Sequence, residues 1–325
     1  MTEVRIGIVS WNSAEVLGPC LASLPAAADG LEWRAVVYDN ASADRSVAVA
    51  SSHPGVEVVE GRDNIGYSRA INRIFAPADR PDILIALNPD TVCPPGSLTR
   101  LCRALMGDPQ LGLVVPTLVF PDGTRQPSVY RFPSVPVAAA ASFLPLFLQR
   151  GRLGRRFGLE AASPADGPVD IDWAVGAVHV IRAAALAGRP AYNERWFMYS
   201  EDLDLCWTLG AGGWRRRLHP EVAVTHIGNA SGRLAWPEGR TDHWLPATYD
   251  WYRFRRGEAA ARRWSAVNVL GAGWRLALKK ARGAAGRRVE PWEEELAPAL
   301  RLHWRFLRTG ALAPPAPPTG PTGRR

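Results

Sequence analysis

The chain runs to 325 residues with 47% hydrophobic content and a formal net charge of +8, values of an ordinary globular protein that can bury a substantial core in one large domain or two smaller ones. Its four cysteines, Cys20, Cys93, Cys102 and Cys206, form no C-x-x-C pair and no cysteine–histidine cluster with zinc spacing, which excludes a zinc module and leaves reduced thiols in a cytosolic protein. Charge is uneven: residues 250–325 hold 16 of the 39 Lys/Arg against 6 of the 31 Asp/Glu, leaving 23 against 25 elsewhere, so the basic character belongs to the C-terminal part and concerns a partner or a surface there.

Met1-Thr2-Glu3-Val4-Arg5 leads directly into a strand-like run, so no signal peptide is expected. Residues 5–10 read as a buried strand and 15–24 as a helix halted by Pro25. Residues 35–38 and 56–59 read as further strands, 67–75 as a helix, 83–87 as a fourth strand and 97–106 as the next helix. Repeated β-α units predict an α/β domain, a mostly parallel sheet flanked by helices, with ligands beyond the carboxyl ends of its strands.

Those ends are polar. Strand one runs into Trp11-Asn12-Ser13, strand two into Asp39-Asn40-Ala41-Ser42, strand three into Asp63-Asn64-Ile65-Gly66 and strand four into Asn88-Pro89-Asp90-Thr91. One such loop is a turn or a cap, since Asn, Asp and Ser serve both. Four on one sheet edge read as a polar ligand site. Asp90 suits Mg²⁺ or Mn²⁺, which take oxygen ligands; its plain alternative is a turn or cap residue. Asp39 could accept from a base or ribose, or make an Asx turn. Asn64 and Gly66 would let backbone approach a ligand closely.

Residues 132–157 are rich in Pro and Ala, end in basic residues, show no periodicity, and read as an insertion or acceptor-side loop. Residues 170–181 bring another apolar strand and a helix start. Then comes Tyr192-Asn-Glu-Arg-Trp-Phe-Met-Tyr-Ser-Glu-Asp-Leu-Asp-Leu-Cys-Trp207, with aromatics crowded against Glu201 and Asp202. Acids beside apolar rings lose solvation and their pKa values move towards catalytic use. Ser200 is a plausible N-cap, so Glu201 and Asp202 are also ordinary first-turn acids of a helix ended by Gly212-Gly213. Trp196, Phe197 and Tyr199 would wall a sugar-sized pocket. His226 follows an apolar run; a lone histidine there is more often structural than a ligand, unless Asp90 lies beside it.

Residues 259–282 read as a helix with an apolar stripe of Trp264, Val267, Leu270, Trp274 and Leu278, bordered by Arg262, Arg263, Lys279 and Lys280. Two readings stand side by side: a helix packed on the main domain with a solvated basic face, and a peripheral contact with an anionic membrane. The stripe is too short to span one. The tail from residue 313 is Pro/Gly/Thr-rich and predicted to be disordered.

Taken in order, these motifs resemble the inverting, non-processive glycosyltransferases of family 2, above all the bacterial rhamnosyltransferase-like members. The resemblance runs from Arg5 to about Ser231 through Ile8-Val-Ser-Trp-Asn12, Asp39-Asn-Ala-Ser42, Asn64-Ile-Gly-Tyr67 with Asn72, Leu87-Asn-Pro-Asp-Thr91, Gly176-Ala177, the 193–207 segment and Pro220-Glu221 before His226. It implies a GT-A fold over residues 1–231, with a nucleotide-sugar half of about 1–120 and an acceptor half of about 121–231. A basic, Trp-rich helical extension would follow over 232–312. It implies a nucleoside-diphosphate sugar donor, with L-rhamnose from dTDP-rhamnose the family-level expectation, and a glycan, lipid-linked or natural-product acceptor. It also implies a divalent cation, Mg²⁺ or Mn²⁺, held by Asp90 and His226. Ser10, Asn12, Asp39, Asn64, Gly66, Asn88 and Asp90 fall on the nucleotide-sugar side. Trp173, Gly176, Trp196 and Tyr199 fall on the sugar and acceptor side. Asp202, with Glu201 beside it, matches the presumed base.

The chain departs from that pattern in three places. The metal motif reads Asn88-Pro89-Asp90, with one carboxylate. The usual Phe-Asp-Glu reads Tyr192-Asn193-Glu194. Thr208 stands where many members have Arg. The Gln-x-x-Arg-Trp motif of processive synthases is absent, so one sugar per encounter is expected. Rival classes are weaker. No G-x-G-x-x-G follows the first strand, against a Rossmann dehydrogenase. No zinc-finger, RRM or KH signature accompanies the basic end, so no nucleic acid is expected. A nucleotide-sugar-binding protein with weak catalysis, or a basic nucleic-acid-binding protein, remains the alternative.

Overall fold

The computed structural model describes residues 2–76, 81–149, 151–157, 167–228, 241–284 and 294–313. Contacts divide the chain into two compact units. The first comprises the described parts of Met1–Tyr130 and Ala162–Pro237, and the second those of Arg131–Ala161 and Glu238–Ala316.

In chain order the elements are β1 (Glu3–Ser10), α1 (Ala14–Ala27), β2 (Glu32–Asp39), α2 (Ser46–Ser51), β3 (Val56–Glu60), α3 (Tyr67–Phe75), β4 (Ile83–Leu87), β5 (Thr91–Val92), α4 (Ser97–Gly107), β6 (Leu111–Val119), β7 (Arg125–Gln126) and β8 (Val129–Tyr130). In the second unit follow α5 (Val135–Phe143), a 3₁₀ turn (Leu146–Gln149) and α6 (Gly151–Phe157). The chain then returns to the first unit with β9 (Val169–Asp170), β10 (Trp173–Ala174), β11 (Val178–Arg182), α7 (Glu201–Ala211) and β12 (Arg215–His226). The second unit closes with α8 (Thr241–Arg256), α9 (Glu258–Ala284) and α10 (Leu296–Thr309).

The main sheet runs β3-β2-β1-β4-β11-β6-β12-β5, with β7 on β6 and β9 on β12. β3, β2, β1 and β4 are mutually parallel, β11 is antiparallel to both β4 and β6, and β12 is parallel to β6. The predicted mixed, mostly parallel sheet is therefore present. Two antiparallel steps either side of β11 restore the original direction. The carboxyl ends of β1 to β4 and of β12 thus share one edge with the start of β11.

β1 is buried on both faces because helices cover both. Ile6 and Ile8 meet Leu17, Leu21 and Leu24 of α1 within the main core. On the other face a Cβ on Gly7 would stand 2.7 Å from Ile71 and 2.9 Å from Phe75, so only glycine lets α3 approach this closely. Each fully buried Leu or Ile contributes roughly 1.5–3 kcal/mol. That gain also explains why α1 does not stop at Pro25: the helix holds Pro19 and Pro25 and runs on to fully buried Ala27. A proline lacks one donor, and here packing outweighs the loss. All four cysteines are free and buried, and burial pushes the thiols of Cys20, Cys102 and Cys206 up to about 12.

Within residues 132–157, Val135–Phe143 and Gly151–Phe157 are helices and Leu146–Gln149 a 3₁₀ turn, rather than a loop. Residues 170–181 form two short strand pairings before β11, not one strand. In the second unit α8, α9 and α10 close on aromatic rings: Tyr249 stacks on Phe306 at 4.0 Å and Tyr252 on Trp264 at 5.1 Å. The Tyr249 hydroxyl meets His303 Nδ1 at 2.6 Å, and Ser265 Oγ donates to the His303 carbonyl at 2.7 Å. α5 lies against the second half of α9, where Ser142 fills the space over Gly271 and Arg275 donates to the carbonyls of Ala141 and Ser142. The predicted stripe on α9 consequently divides. Trp264 is 7% exposed within the aromatic core, whereas Leu270, Trp274 and Leu278 are 65%, 50% and 40% exposed. Among the described residues no helix is long and apolar enough to cross a membrane. The predicted boundary at 231–232, and all but Ala313 of the predicted tail, lie outside the described residues.

Candidate active site

The polar loops at the shared edge are tied to each other. Asn12, in the left-handed region at φ 50°, receives the Ala43 N–H on its side-chain oxygen (2.8 Å) and donates its own N–H to Ser42 Oγ (2.9 Å). Buried Asp39 accepts from the Ser42 N–H (2.8 Å) and hydroxyl (2.6 Å), so the turn role and the site position coexist. Ser10 Oγ is buried with no hydrogen-bond partner among the described residues. Asn64 accepts from the Gly66 N–H at 3.0 Å. Asn40, buried beside Asp39, accepts from the Ile65 N–H (3.2 Å) and donates to the Gly66 carbonyl (3.4 Å), joining the ends of β2 and β3.

Gly66 then joins this nucleotide-side group to the aromatic segment. It adopts φ 83° and ψ 168°, and Phe197 occupies the space its Cβ would take. The next N–H, of Tyr67, donates to the Phe197 carbonyl at 2.9 Å. One turn further along α3, the Asn72 side chain brackets the Tyr192 backbone, donating to its carbonyl (2.7 Å) and accepting from its N–H (3.0 Å). Tyr192 in turn is fixed by His179. Burial lowers the His179 pKa to about 4, so its ring is neutral. With Nε2–H donating to the Ala174 carbonyl (3.2 Å), Nδ1 accepts from the Tyr192 hydroxyl (2.9 Å). Asn72→Ala would leave two buried backbone groups unpaired. It is expected to lower unfolding free energy by roughly 2–4 kcal/mol, and Asn72→Asp by a comparable amount because a carboxylate cannot donate to the Tyr192 carbonyl. Urea unfolding measures both; a change of a few tenths of a kcal/mol would show that the bracket does not hold the segment.

The segment enters α7 through two consecutive left-handed residues, Tyr199 (φ 68°) and Ser200 (φ 69°). Ser200, in the left-handed rather than the extended backbone that a capping residue usually takes, makes no side-chain cap bond to α7, so the expected cap is absent. Strain of about 1–3 kcal/mol per such residue persists where the surroundings impose it, commonly at functional sites. It delivers Glu201 and Asp202 to the interior. Asp202 Oδ1 accepts from the Leu203 N–H (2.7 Å) and Oδ2 from the Gly176 N–H (3.1 Å). Burial raises its pKa to about 6, against the opposing pull of those backbone donors. Glu201 Oε2 has no partner among the described residues, and burial, then the charge of Asp202, pushes its pKa well up. The two acids are therefore unlike: a Glu201 whose proton is held by burial and by the charge beside it, and a hydrogen-bonded Asp202 with a pKa of about 6. Around them Trp196 is buried, Tyr199 is half-buried, and Trp173 stacks on Tyr130 at 5.0 Å across the β8–β10 pairing.

At the far side of the same edge, β5 pairs with β12 so that His226 lies opposite Thr91, and the Ile227 N–H donates to the Asp90 carbonyl at 3.0 Å. His226 Nε2 stands 3.3 Å from Asp90 Oδ1 and 3.5 Å from Asn88 Nδ2, while Nδ1 meets Gln126 Oε1 at 2.7 Å. If the Gln126 oxygen accepts from Nδ1–H, the Nε2 lone pair faces a buried carboxylate. A proton or a cation between them resolves that repulsion. The donor set of one carboxylate and one imidazole fits a divalent cation whose remaining ligands are phosphate oxygens and water. Among the described residues no cluster of three or more His, Cys, Asp or Glu could hold a metal by itself.

The Asn88 N–H donates to the Ala177 carbonyl at 2.9 Å, while Asp202 grips the Gly176 N–H. The 176–177 dipeptide thus stands between the Asp90–His226 pair and the acidic pair. The fold places Ser10, Asn12, Asp39, Asn64, Gly66, Asn88, Asp90 and His226 at the carboxyl edge of the main sheet, with Gly176 just before β11; Asp202 reaches that edge from the start of α7 through the Gly176 N–H, Trp196 and Tyr199 precede α7, and Trp173 lies in the separate β8–β10 pairing. Asn40, His179, Gln126 and the bracketing role of Asn72 were not selected from the sequence. Asn40 directly follows a selected Asp, which is a usable signal; Gln126, 100 positions from His226, carries none.

A family model described as Glycosyl transferase family 2 matches residues 6–159. An N-acetylglucosaminyl-diphospho-decaprenol L-rhamnosyltransferase of Mycobacterium tuberculosis is 31% identical over 238 residues, covering 70% of this chain and 76% of the relative. The rhamnosyltransferase WbbL of Escherichia coli (strain K12) is 22% identical over 237 residues, covering 71% of this chain and 85% of that protein. The mannosyltransferase PcManGT of Pyrobaculum calidifontis, solved with GDP-Man and Mn²⁺, is similar in fold with a TM-score of 0.57 at 17% identity, covering 94% of this chain and 87% of that one. GalNAc-T7, solved with UDP, GalNAc and Mn²⁺, gives a TM-score of 0.50 at 15% identity, over 70% of this chain and 44% of that one.

Proposed function

From the premise that the chain belongs to glycosyl transferase family 2 and is a glycosyltransferase enzyme with a GT-A fold, we propose that it transfers one L-rhamnosyl residue from dTDP-rhamnose to a hydroxyl of a polyprenyl-diphosphate-linked sugar. The carrying observation is Asp202: a half-buried residue at the start of α7 whose carboxylate is held by two backbone N–H groups, with a pKa raised to about 6. The named activities of the two rhamnosyltransferase relatives support the choice of sugar, and that of the mycobacterial one supports the acceptor class.

In this reading Asp202 takes the proton of the acceptor hydroxyl. The acceptor oxygen bonds to the anomeric carbon as the bond to the diphosphate oxygen breaks, and the electron pair leaves with the nucleoside diphosphate. One displacement inverts the configuration. Burial and the Asp202 charge push the Glu201 pKa up, so the pair favours a single negative charge, carried by Asp202. Asp90 and His226 would hold Mg²⁺ or Mn²⁺, which supplies charge neutralisation at a leaving diphosphate. Ser10, Asn12, Asp39, Asn64 and Gly66 line the nucleotide side, and Trp173, Trp196 and Tyr199 the sugar and acceptor side. An acceptor on a polyprenyl chain is met at a membrane, so the enzyme works at a bilayer surface.

The test is a transfer assay offering dTDP-, UDP- and GDP-sugars against polyprenyl-diphosphate-linked N-acetylglucosamine, with Mg²⁺ or Mn²⁺. dTDP release coupled to a rhamnosylated lipid is the expected result. Turnover with a different donor alone would overturn the sugar assignment, and donor binding without transfer to any acceptor would leave a nucleotide-sugar-binding protein.

A further inference from the structure

Among the described residues eleven large apolar side chains are exposed, and nine of them stand in the second unit. The same unit, residues 131–161 and 238–316, holds 20 of the 39 Lys/Arg and 9 of the 31 Asp/Glu, a surplus of 11; the rest of the chain has 19 against 22. Exposed apolar groups and positive charge therefore coincide, in the half of the molecule that supplies none of the candidate catalytic residues.

The concentration is greatest where α5 meets the second half of α9. Leu270, Trp274 and Leu278 recur at four-residue spacing along one outward strip of α9, all at least 40% exposed. Arg275, within that strip's span, is bonded to the carbonyls at the end of α5, where Phe143 is 46% exposed. From Val135 to Gln149 the chain carries no charged residue at all, and then Arg150, Arg152, Arg155 and Arg156 follow within seven positions. Lys280, exposed, lies just past Leu278 on α9. A strip from Leu270 to Leu278 is about 12 Å long, far short of a span and suited to lying along a surface.

We propose that this face, formed by Leu270, Trp274 and Leu278 of α9 with Phe143 at the end of α5, docks on an anionic lipid bilayer. A bilayer surface is negative outside and apolar a few ångströms below. It is the occupant that takes both the aromatic and aliphatic strip and its cationic border, with tryptophan at the boundary between the two. A protein partner or a second copy would need only the strip, and the surplus of 11 positive charges would oppose self-association. The proposal deepens the reading of a lipid-linked acceptor by naming the surface that meets the lipid.

The full chain should co-sediment with vesicles of phosphatidylcholine mixed with phosphatidylglycerol and far less with phosphatidylcholine alone, and the binding should weaken with salt. The triple change Leu270→Ser, Trp274→Ser, Leu278→Ser alters exposed positions only. It should keep the circular dichroism spectrum while lowering vesicle partition by about tenfold or more. Lys280→Glu should lower it by about fivefold or more. No sedimentation with anionic vesicles, equal sedimentation with neutral ones, or unchanged binding of the triple variant would overturn the proposal. So would self-association in buffer that the triple variant abolishes, which would assign the face to a second copy. No sugar enters the measurement, so its failure and the failure of the transfer reading are separate results.

Discussion

Asp202→Asn is expected to lower transfer by roughly 10²- to 10⁴-fold, the usual contribution of a positioned general base, with donor binding nearly unchanged. The substitution preserves shape. It replaces one accepted backbone bond by a donor–donor contact, and it also removes the cost of a partly desolvated charge, so the melting temperature should move little. For the wild-type protein the sign of the pH dependence follows from the raised pKa. The base works ionised, so kcat/KM should fall about tenfold per pH unit below about 6 and level off above it. The same carboxyl binds its proton more tightly folded than unfolded. Its contribution to stability is therefore present below about 4 and is lost as pH rises to about 6, the reverse of a salt-bridged aspartate. Single-turnover rates of the two proteins across pH 5 to 8 decide the matter. Near-wild-type turnover in the Asn variant, or an acid limb that survives in it, removes Asp202 from the role of base.

The second large effect is expected at a glycine. Gly66→Ala places a Cβ 2.6 Å from the Phe197 carbonyl oxygen and 2.8 Å from its ring, in a backbone conformation that only glycine adopts readily. Strain alone costs about 1–3 kcal/mol. The obstructing atom is backbone, so the Phe197 segment must move, and the Tyr67 N–H loses its acceptor. A total near 4 kcal/mol is expected, with donor affinity and turnover falling together because the displaced segment leads to Asp202. Gly55→Ala is the control: its φ is also positive, at 77°, yet a Cβ there meets nothing within 4 Å. It should cost about 1 kcal/mol and leave activity alone. Equal losses for the two would mean that the contact with Phe197 carries no weight.

Much of this architecture was legible in the residues. The spans of α3 and β4 were predicted to the residue, because apolar periodicity there is strong and bounded by Gly, Pro or Asn. The polar loops stood out because parallel strands end on one side. The helix α5 was not legible: Val-Pro-Val-Ala-Ala-Ala-Ala-Ser-Phe has no polar face from which to read a period, and what surrounds it is α9, more than a hundred positions later. The left-handed turn at Tyr199–Ser200 escaped for a related reason. Neither residue prefers that conformation, and the fixed point before it, the Phe197 carbonyl held by the Tyr67 N–H, is 130 positions away in sequence. The Asn72–Tyr192 bracket spans 120 positions, and no local pattern announces such a pairing.

One consequence of the 176–177 dipeptide concerns evolution of specificity. Its two peptide units are clasped from opposite sides, Ala177 by Asn88 and Gly176 by Asp202. In the proposed reaction they would act as a ruler of fixed length between the Asp90–His226 pair and Asp202. Length changes in this stretch would spoil both ends at once, whereas a Cβ at Gly176 would meet Asp202 Cβ in ordinary contact at 3.5 Å. Members of this lineage that adopt a new acceptor would therefore be expected to change the walls around the ruler and keep its length.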